Sequence, residues 1–444
     1  MSKGLASLLD GISGISPGDL TLAEKILSQK AGTLLRAGDV GICRVDAVMV
    51  HDSNAPAVLD AWEQLGRKLG LDPRHVVFVA DHYSPPPHAL GANVHRRMRE
   101  FVRSHGVVFS DVGGGVCHQV MLESGLVRPG SLVVGSDSHS CAYGAYSAFG
   151  TGLGASEIAA VMTFGVTWFR VPAGIRVTLT GAGFPPGVGG KDLALFLLHE
   201  LGTRGALYRA LEFGGPAAPL VPVEDRVTVA NMGVEAGAKA AIWEANPLPR
   251  SLGGGHVGQV VPDPGARYER EIAVDLDRLV PYVAVGDRVD AIRPVSEVAG
   301  TPVQQVVIGS CTNGRASDFR MAATILRGRR VHPGVRLLLY PASRQVMAEI
   351  TADGTAHVLI SAGGSFFTPG CGPCAGYHGG IPGDGEVVLS TTNRNFKGRM
   401  GNPLASVVLA SPATSAASAV AGCIADPREF LGAGREMGER GART

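Results

Sequence analysis

The stretch VQQVVIGSCTNGR, residues 303–315, is apolar through Val306, Val307 and Ile308 and then turns reactive at Cys311-Thr312-Asn313. An unbroken Val/Ile run without polar alternation reads as a strand buried on both faces of a parallel sheet. Five more runs repeat the pattern: HVVFVAD (75–81), SLVVGSD (131–137), GVRLLLYP (334–341), EVVLST (386–391) and ASVVLAS (405–411). Helix-compatible stretches such as ASEIAAVMTFGVTWF (155–169) separate them. Near the start, Thr21-Leu-Ala-Glu24 forms a capping box ahead of an apolar pattern that Gly32 can close, which predicts a helix. The spacing therefore predicts an α/β fold. Four runs lead into Asp81-His82, Asp137-Ser138-His139, Cys311-Thr312-Asn313 and Asn393-Arg394, and ligands collect at the carboxyl ends of strands in open α/β sheets. One shared cleft is expected there.

Composition narrows the function classes. Over 444 residues, 40 Lys and Arg balance 39 Asp and Glu, so there is no electrostatic footprint for nucleic acid or an anionic membrane. With 45% apolar residues the chain can bury real cores, and its length suggests two to four domains. No run reaches the roughly 18–20 apolar residues of a membrane helix. Asp10 and nearby glycines interrupt the place where a signal peptide needs its apolar core, so a cytoplasmic location is expected. Seven cysteines, spread thinly, suit metal or redox use better than a disulfide scaffold. Weak seams after Pro172 and near Pro281 divide the chain into 1–172, 173–282 and 283–444.

Cys371-Gly-Pro-Cys374 lies on a Gly/Pro-rich segment where two thiolates can face one metal. Three uses stay open on these residues: a redox dithiol, a structural zinc held by Cys311, Cys371, Cys374 and His378, or a [4Fe–4S] cluster held by three thiolates with one iron free of protein sulfur. Arg394 and Arg399 are guanidinium forks suited to carboxylates. His82, His118 and His139 lie in DHYSPP, GVCHQV and SDSHS, and a carboxylate partner would orient such a ring and raise its basicity. Gly150-Thr-Gly-Leu-Gly154 follows no clear strand and is not a dinucleotide fingerprint, and Gly135-Ser-Asp-Ser138-His139 lacks the closing glycine of a nucleophile elbow.

With these residues in hand the chain resembles the aconitase superfamily, within it the branch of the 3-isopropylmalate dehydratase and homoaconitase large subunits. Seven ordered motifs carry the resemblance: FVADH (78–82), GGVCHQV (114–120), VVGSDSHSCAYGA (133–145), NMGVEAGA (231–238), IGSCTNGR (308–315), GCGPCAGYHGG (370–380) and TTNRNFKGRMGNP (391–403). It implies three α/β/α domains around a cleft holding an iron–sulfur cluster, with Cys311, Cys371 and Cys374 as ligands of a [4Fe–4S] group. It implies substrate carboxylates on Arg394 and Arg399, Ser138 beside the substrate, and the pairs His82 with Asp81, His118 with Asp137 and His139 with Glu235 around the leaving hydroxyl.

The implied activity is a hydro-lyase isomerising 2- and 3-isopropylmalate by dehydration and rehydration in leucine biosynthesis. Homoaconitase or another substituted-malate dehydratase, such as one for dimethylmalate, is the alternative; an iron-responsive RNA-binding relative would need basic surface that this composition lacks. The serine base and one more arginine of the single-chain aconitases lie in a fourth domain unmatched here, so a small subunit is the expected partner. HDSNAP (51–56), Ser140 and Gly314 depart from the family's usual residues near the expected cleft.

Overall fold

The computed structural model describes residues 18–244 and 260–431. The segment bearing on a signal peptide lies outside the described residues, as do the outer ends of the first and third expected domains. No described helix is long and apolar enough to cross a membrane.

All six apolar runs are strands, and five of them lie inside parallel arrays. The first sheet has the spatial order Val108–Ser110, Val76–Val79, Ala47–His51, Leu132–Gly135 and Phe149–Gly152, with every pairing parallel. The second, also all parallel, runs Ala240–Trp243, Arg209–Gly214, Ala173–Thr180 and Arg270–Asp275. The third has seven strands: Ile292–Pro294, Tyr282–Ala284, Ser406–Ala410, Val387–Ser390, Gln305–Gly309, Arg336–Tyr340 and Gly364–Phe366. Its last five are parallel and its first two antiparallel, so Ser406–Ala410 meets one neighbour of each kind. The fold is thus the expected α/β class.

Thr21 caps the helix Leu22–Ala31 with the full capping box, and Gly32 ends it in the left-handed conformation. Two readings change. The stretch 155–169 is helical only through Phe164; Gly165 caps it in the left-handed region, and Val166–Arg170 becomes a strand paired antiparallel with Val40–Arg44. The glycine-rich GTGLG segment does follow a strand course, since Phe149–Gly152 is the edge of the first sheet.

One buried apolar cluster runs beneath all three sheets: it includes Met49 and Val133 of the first, Leu211 and Trp243 of the second, and Val307 and Leu409 of the third. Burial on this scale, at roughly 25 cal/mol per Å² of apolar area, fixes the sheets against one another. Gly144 shows how closely they approach, for a Cβ there would lie 1.8 Å from the carbonyl oxygen of Ala241 in the second sheet.

Candidate active site

Five strand ends converge on one cleft of about 290 Å³, large enough for a small diacid and too small for a dinucleotide. Ala47–His51 delivers His51, Val76–Val79 leads to His82, and Leu132–Gly135 leads to Asp137, Ser138 and His139. From the third sheet, Gln305–Gly309 leads to Cys311 and Val387–Ser390 to Asn393 and Arg394. His118 arrives on the first turn of the helix Cys117–Glu123. Cys371 and Cys374 come from the turns after the edge strand Gly364–Phe366, and Arg399 from the loop between Val387–Ser390 and Ser406–Ala410. Asp81 and Glu235 do not line the cleft; they stand behind the histidines.

Each histidine is held by a carboxylate. His82 Nδ1 donates to Asp81 Oδ1 at 2.8 Å, His118 Nε2 to Asp137 Oδ1 at 3.0 Å, and His139 Nε2 to Glu235 Oε1 at 2.8 Å. Asp137 also faces His139 Nδ1 at 3.2 Å, so it links two rings. Burial opposes charge on His82, but Asp81, then Asp52 and Asp137, push its pKa up to about 10. Burial likewise opposes charge on His139, and the bonds to Asp137 and Glu235 more than offset it, raising its pKa. Asp137 moves the other way: despite burial, His118 and His139 hold it well below the ordinary carboxylate range.

Sequence reasoning missed several members. His51 stacks on His82 with ring centres 4.3 Å apart. Its Nε2 faces the carbonyl oxygen of Ser136 at 3.2 Å, which can only accept, so Nε2 carries the proton and Nδ1 accepts from Ser53 Oγ at 3.0 Å. Burial and the neighbouring His82 lower its pKa, leaving a neutral ring against a charged one. Buried Asp52 accepts from the backbone amides of His82 and Tyr83 and from His95 Nε2, which fixes the His82 loop. The available signal was HD (51–52) after the apolar run AVMV, the same pattern that marked the other strand ends. His51, Asp52, Asp81 and His82 lie within metal-ligand reach of one another, as do His118, Asp137 and His139, yet the hydrogen bonds just described already engage these groups.

The three cysteines meet in the same cleft. Cys311 follows Gly309 at φ 150° and Ser310 at φ 73°; the serine is a non-glycine residue in the left-handed region, a strained turn that turns Cys311 toward the cleft. A Cβ at Gly309 would lie 2.3 Å from the Tyr340 carbonyl oxygen, so the turn requires glycine. The backbone amide of Cys371 donates to the carbonyl oxygen of Asp81 at 2.9 Å, tying the C-x-x-C turn to the histidine side. All seven cysteines are free thiols. A hydrogen bond from Cys371, helped by the Arg399 guanidinium, favours the thiolate of Cys374, whereas burial pushes Cys311 up to about 12.

This donor set fits an iron–sulfur group. Three buried sulfurs face one space, Asn393 Nδ2 reaches Cys311 Sγ at 3.4 Å, and Arg399 Nη2 reaches Cys374 Sγ at 3.5 Å. Two further donors, Asn231 Nδ2 and Arg399 Nε, are buried without a partner among the described residues, and N–H groups of this kind bond to the sulfurs of such clusters. His378, which could complete a Cys3His set, does not line the cleft; its Nε2 donates to the His82 carbonyl oxygen at 3.1 Å.

Arg394 donates through Nε to Glu235 and through Nη2 to Ser138 Oγ at 3.2 Å. Of the departures from family pattern, Ser53 and Asn54 line the cleft while Ser140 and Gly314 do not. Ser140 Oγ instead donates to the Asp137 carbonyl oxygen, and Gly314 accepts from Ala342 N.

Fold and site together describe an α/β protein whose sheets pool histidine–carboxylate pairs, arginines and three thiols in one cleft. The chain belongs to the aconitase family: the family model, described as aconitate hydratase, matches residues 24–247 and 293–422. It is 48% identical over 416 residues to 3-isopropylmalate dehydratase large subunit 2 of Archaeoglobus fulgidus, covering 93% of this chain and 99% of that one. It is 45% identical to 3-isopropylmalate dehydratase large subunit 1 of Methanopyrus kandleri, with the same two coverages. The homoaconitase large subunit of Thermus thermophilus is 48% identical over 92% of this chain and 98% of its own.

Proposed function

We propose that this chain is the cluster-bearing large subunit of a hydro-lyase that interconverts 2- and 3-isopropylmalate, a step of leucine biosynthesis. The observation that carries the reading is the convergence of Cys311, Cys371 and Cys374 with three histidine–carboxylate pairs and two arginines in one cleft. We assign the three thiols a [4Fe–4S] cluster, which when bound supplies Lewis acidity at one iron.

The chain's own residues do the rest. Arg394 and Arg399 hold the substrate carboxylates, and Ser138, fixed by Arg394 Nη2, lies beside them. His82 stays protonated at neutral pH because Asp81 holds Nδ1, leaving Nε2 to give its proton to the departing hydroxyl. The carbon–oxygen bond breaks and the hydroxyl leaves as water. The adjacent carbon–hydrogen bond breaks with its electron pair forming the alkene, and the proton goes to a base that we assign to a separate small subunit. Rehydration with the opposite regiochemistry returns a proton to one carbon and hydroxide to the other. His118 and His139, linked through Asp137, keep the far wall of the cleft oriented.

In this reading the chain has three domains, 1–172, 173–282 and 283–444, each carrying one main sheet, and works in the cytoplasm, where a reducing medium suits cluster thiols. Homoaconitase activity is the second reading, favoured by the equal identity to the Thermus relative.

Anaerobic co-expression with a candidate small subunit, followed by a panel of malate derivatives read by the ultraviolet absorbance of the enoate, tests the proposal. Turnover of isopropylmalate by the pair and little by the single chain is expected. Preference for a homocitrate-type substrate selects the second reading, and a lone divalent ion seen by anomalous scattering would overturn both.

A further inference from the structure

Lys191 is 1% exposed, and no carboxylate forms an ion pair with it among the described residues. An unpaired buried ammonium is destabilising unless hydrogen bonds and nearby negative charge compensate. It sits at the second position of the helix Gly190–Leu201, and its ammonium reaches the segment that follows the strand Val387–Ser390 of the third sheet. Nζ donates to the carbonyl oxygens of Thr391, at 2.9 Å, and Thr392, at 2.5 Å. A Cβ at Gly190 would lie 2.7 Å from both Cβ and the carbonyl oxygen of Asp225, so glycine lets the helix start seat deeply against Val223–Met232.

The two carbonyls immediately precede Asn393 and Arg394. Thr391 is held from several sides: its carbonyl oxygen also accepts from Thr312 Oγ1 at 2.9 Å, and its own Oγ1 accepts from Gly309 N at 2.9 Å. Thr312 follows Cys311 and Gly309 precedes it by two, so the same knot borders the cysteine turn. Beyond the knot, Asn393 stands between sulfurs, with Nδ2 3.4 Å from Cys311 Sγ and Oδ1 3.4 Å from Cys374 Sγ. Arg394 then reaches Glu235 and Ser138.

We propose that Lys191 is a positioning residue for the site: its ammonium pins the Thr391–Thr392 carbonyls, so that Asn393 is set against the cysteine-bound group and Arg394 against the substrate carboxylate. Burial pushes the lysine pKa down to about 7 even though Cys374, Cys311, Asp192 and Asp318 oppose that shift. A hydrocarbon of similar length would fill the space without fixing either carbonyl.

The inference rests on the cluster and substrate reading above. Its test uses the reconstituted two-subunit enzyme with 3-isopropylmalate, and variants Lys191→Met, Lys191→Gln and Thr312→Val. Lys191→Met is expected to keep its iron and its melting temperature within a few degrees, to raise KM about tenfold or more, and to shift the electron paramagnetic resonance g-values of the reduced cluster. Gln, which keeps one amide donor, and Thr312→Val should move KM in the same direction by less. Wild-type KM and g-values in Lys191→Met, whatever its melting temperature, would overturn the proposal. If that variant fails to fold, wild-type values in both Lys191→Gln and Thr312→Val do the same. A wild-type enzyme that binds no cluster would instead overturn the functional reading on which the proposal stands.

Discussion

Arg394 Nε donates to both carboxylate oxygens of Glu235, at 2.8 and 3.1 Å, although 159 residues separate them in sequence. The same carboxylate accepts from His139, so one acid orients a substrate arginine and a histidine together. Arg394→Lys keeps a charge but cannot hold Glu235 and Ser138 at once. We expect kcat/KM to fall about 10–100-fold, the worth of one or two charged hydrogen bonds, with the larger part in KM. Steady-state kinetics that show less than a threefold loss would remove Arg394 from substrate binding.

His82 gives a pH signature. Its pKa in the folded chain, pushed up to about 10 by Asp81 against the cost of burial, lies above the ordinary histidine value of about 6.5. Proton binding therefore favours the fold. That contribution is complete below about pH 6.5 and fades as pH rises through about 10. Asp81→Asn also loses the bond from Cys117 N, a cost that does not depend on pH. The melting-temperature gap between wild type and Asp81→Asn should accordingly be widest at pH 6.5 and narrow toward pH 10. A gap that stays constant would show that His82 is not held protonated by Asp81.

Cys374→Ser should lose most of its iron and the brown absorbance near the blue edge of the visible spectrum after anaerobic reconstitution. Cys423→Ser, a change at a half-buried cysteine whose backbone pairs with Pro302 away from the cleft, should retain both. Iron analysis and absorbance decide the matter, and an iron-replete, coloured Cys374→Ser protein would refute the ligand assignment.

Gly144→Ala tests the seating of the second sheet. The added methyl would lie 1.8 Å from the Ala241 carbonyl oxygen, and backbone there cannot swing aside as a side chain can. Overpacking of this kind costs about 1–3 kcal/mol or more, so a melting point several degrees lower is expected. An unchanged melting curve would mean that the two segments are not in contact.

Much of this architecture was readable because strands of parallel sheets are apolar on both faces: HVVFVAD, SLVVGSD and VQQVVIGS gave their positions directly, and what followed each run marked the cleft. Val166–Arg170 was concealed because Gly165 can either interrupt a helix or end it, and only its left-handed conformation decides. His51 and Lys191 were missed for another reason. A histidine stacked on His82 and a lysine bonded to Thr391 acquire meaning from contacts made across the fold; His51 had only the short signal of HD after AVMV, and Lys191 stands in no local pattern that distinguishes it from an ordinary surface residue. The cysteines were legible because their residue type is rare and their spacing specific, whereas the contacts of Asn393 with two of their sulfurs were not.

The apolar cluster shared by Met49, Leu211 and Val307 has a consequence for how such a protein could be divided between genes. A break between any two sheets would tear open a common interior and leave each half with a raw, greasy wound and part of a cleft. Fission is tolerable only where nothing but solvent and substrate crosses the boundary, which is the rim of the cleft, and a lid encoded elsewhere could be shed or exchanged there without the body of the protein noticing.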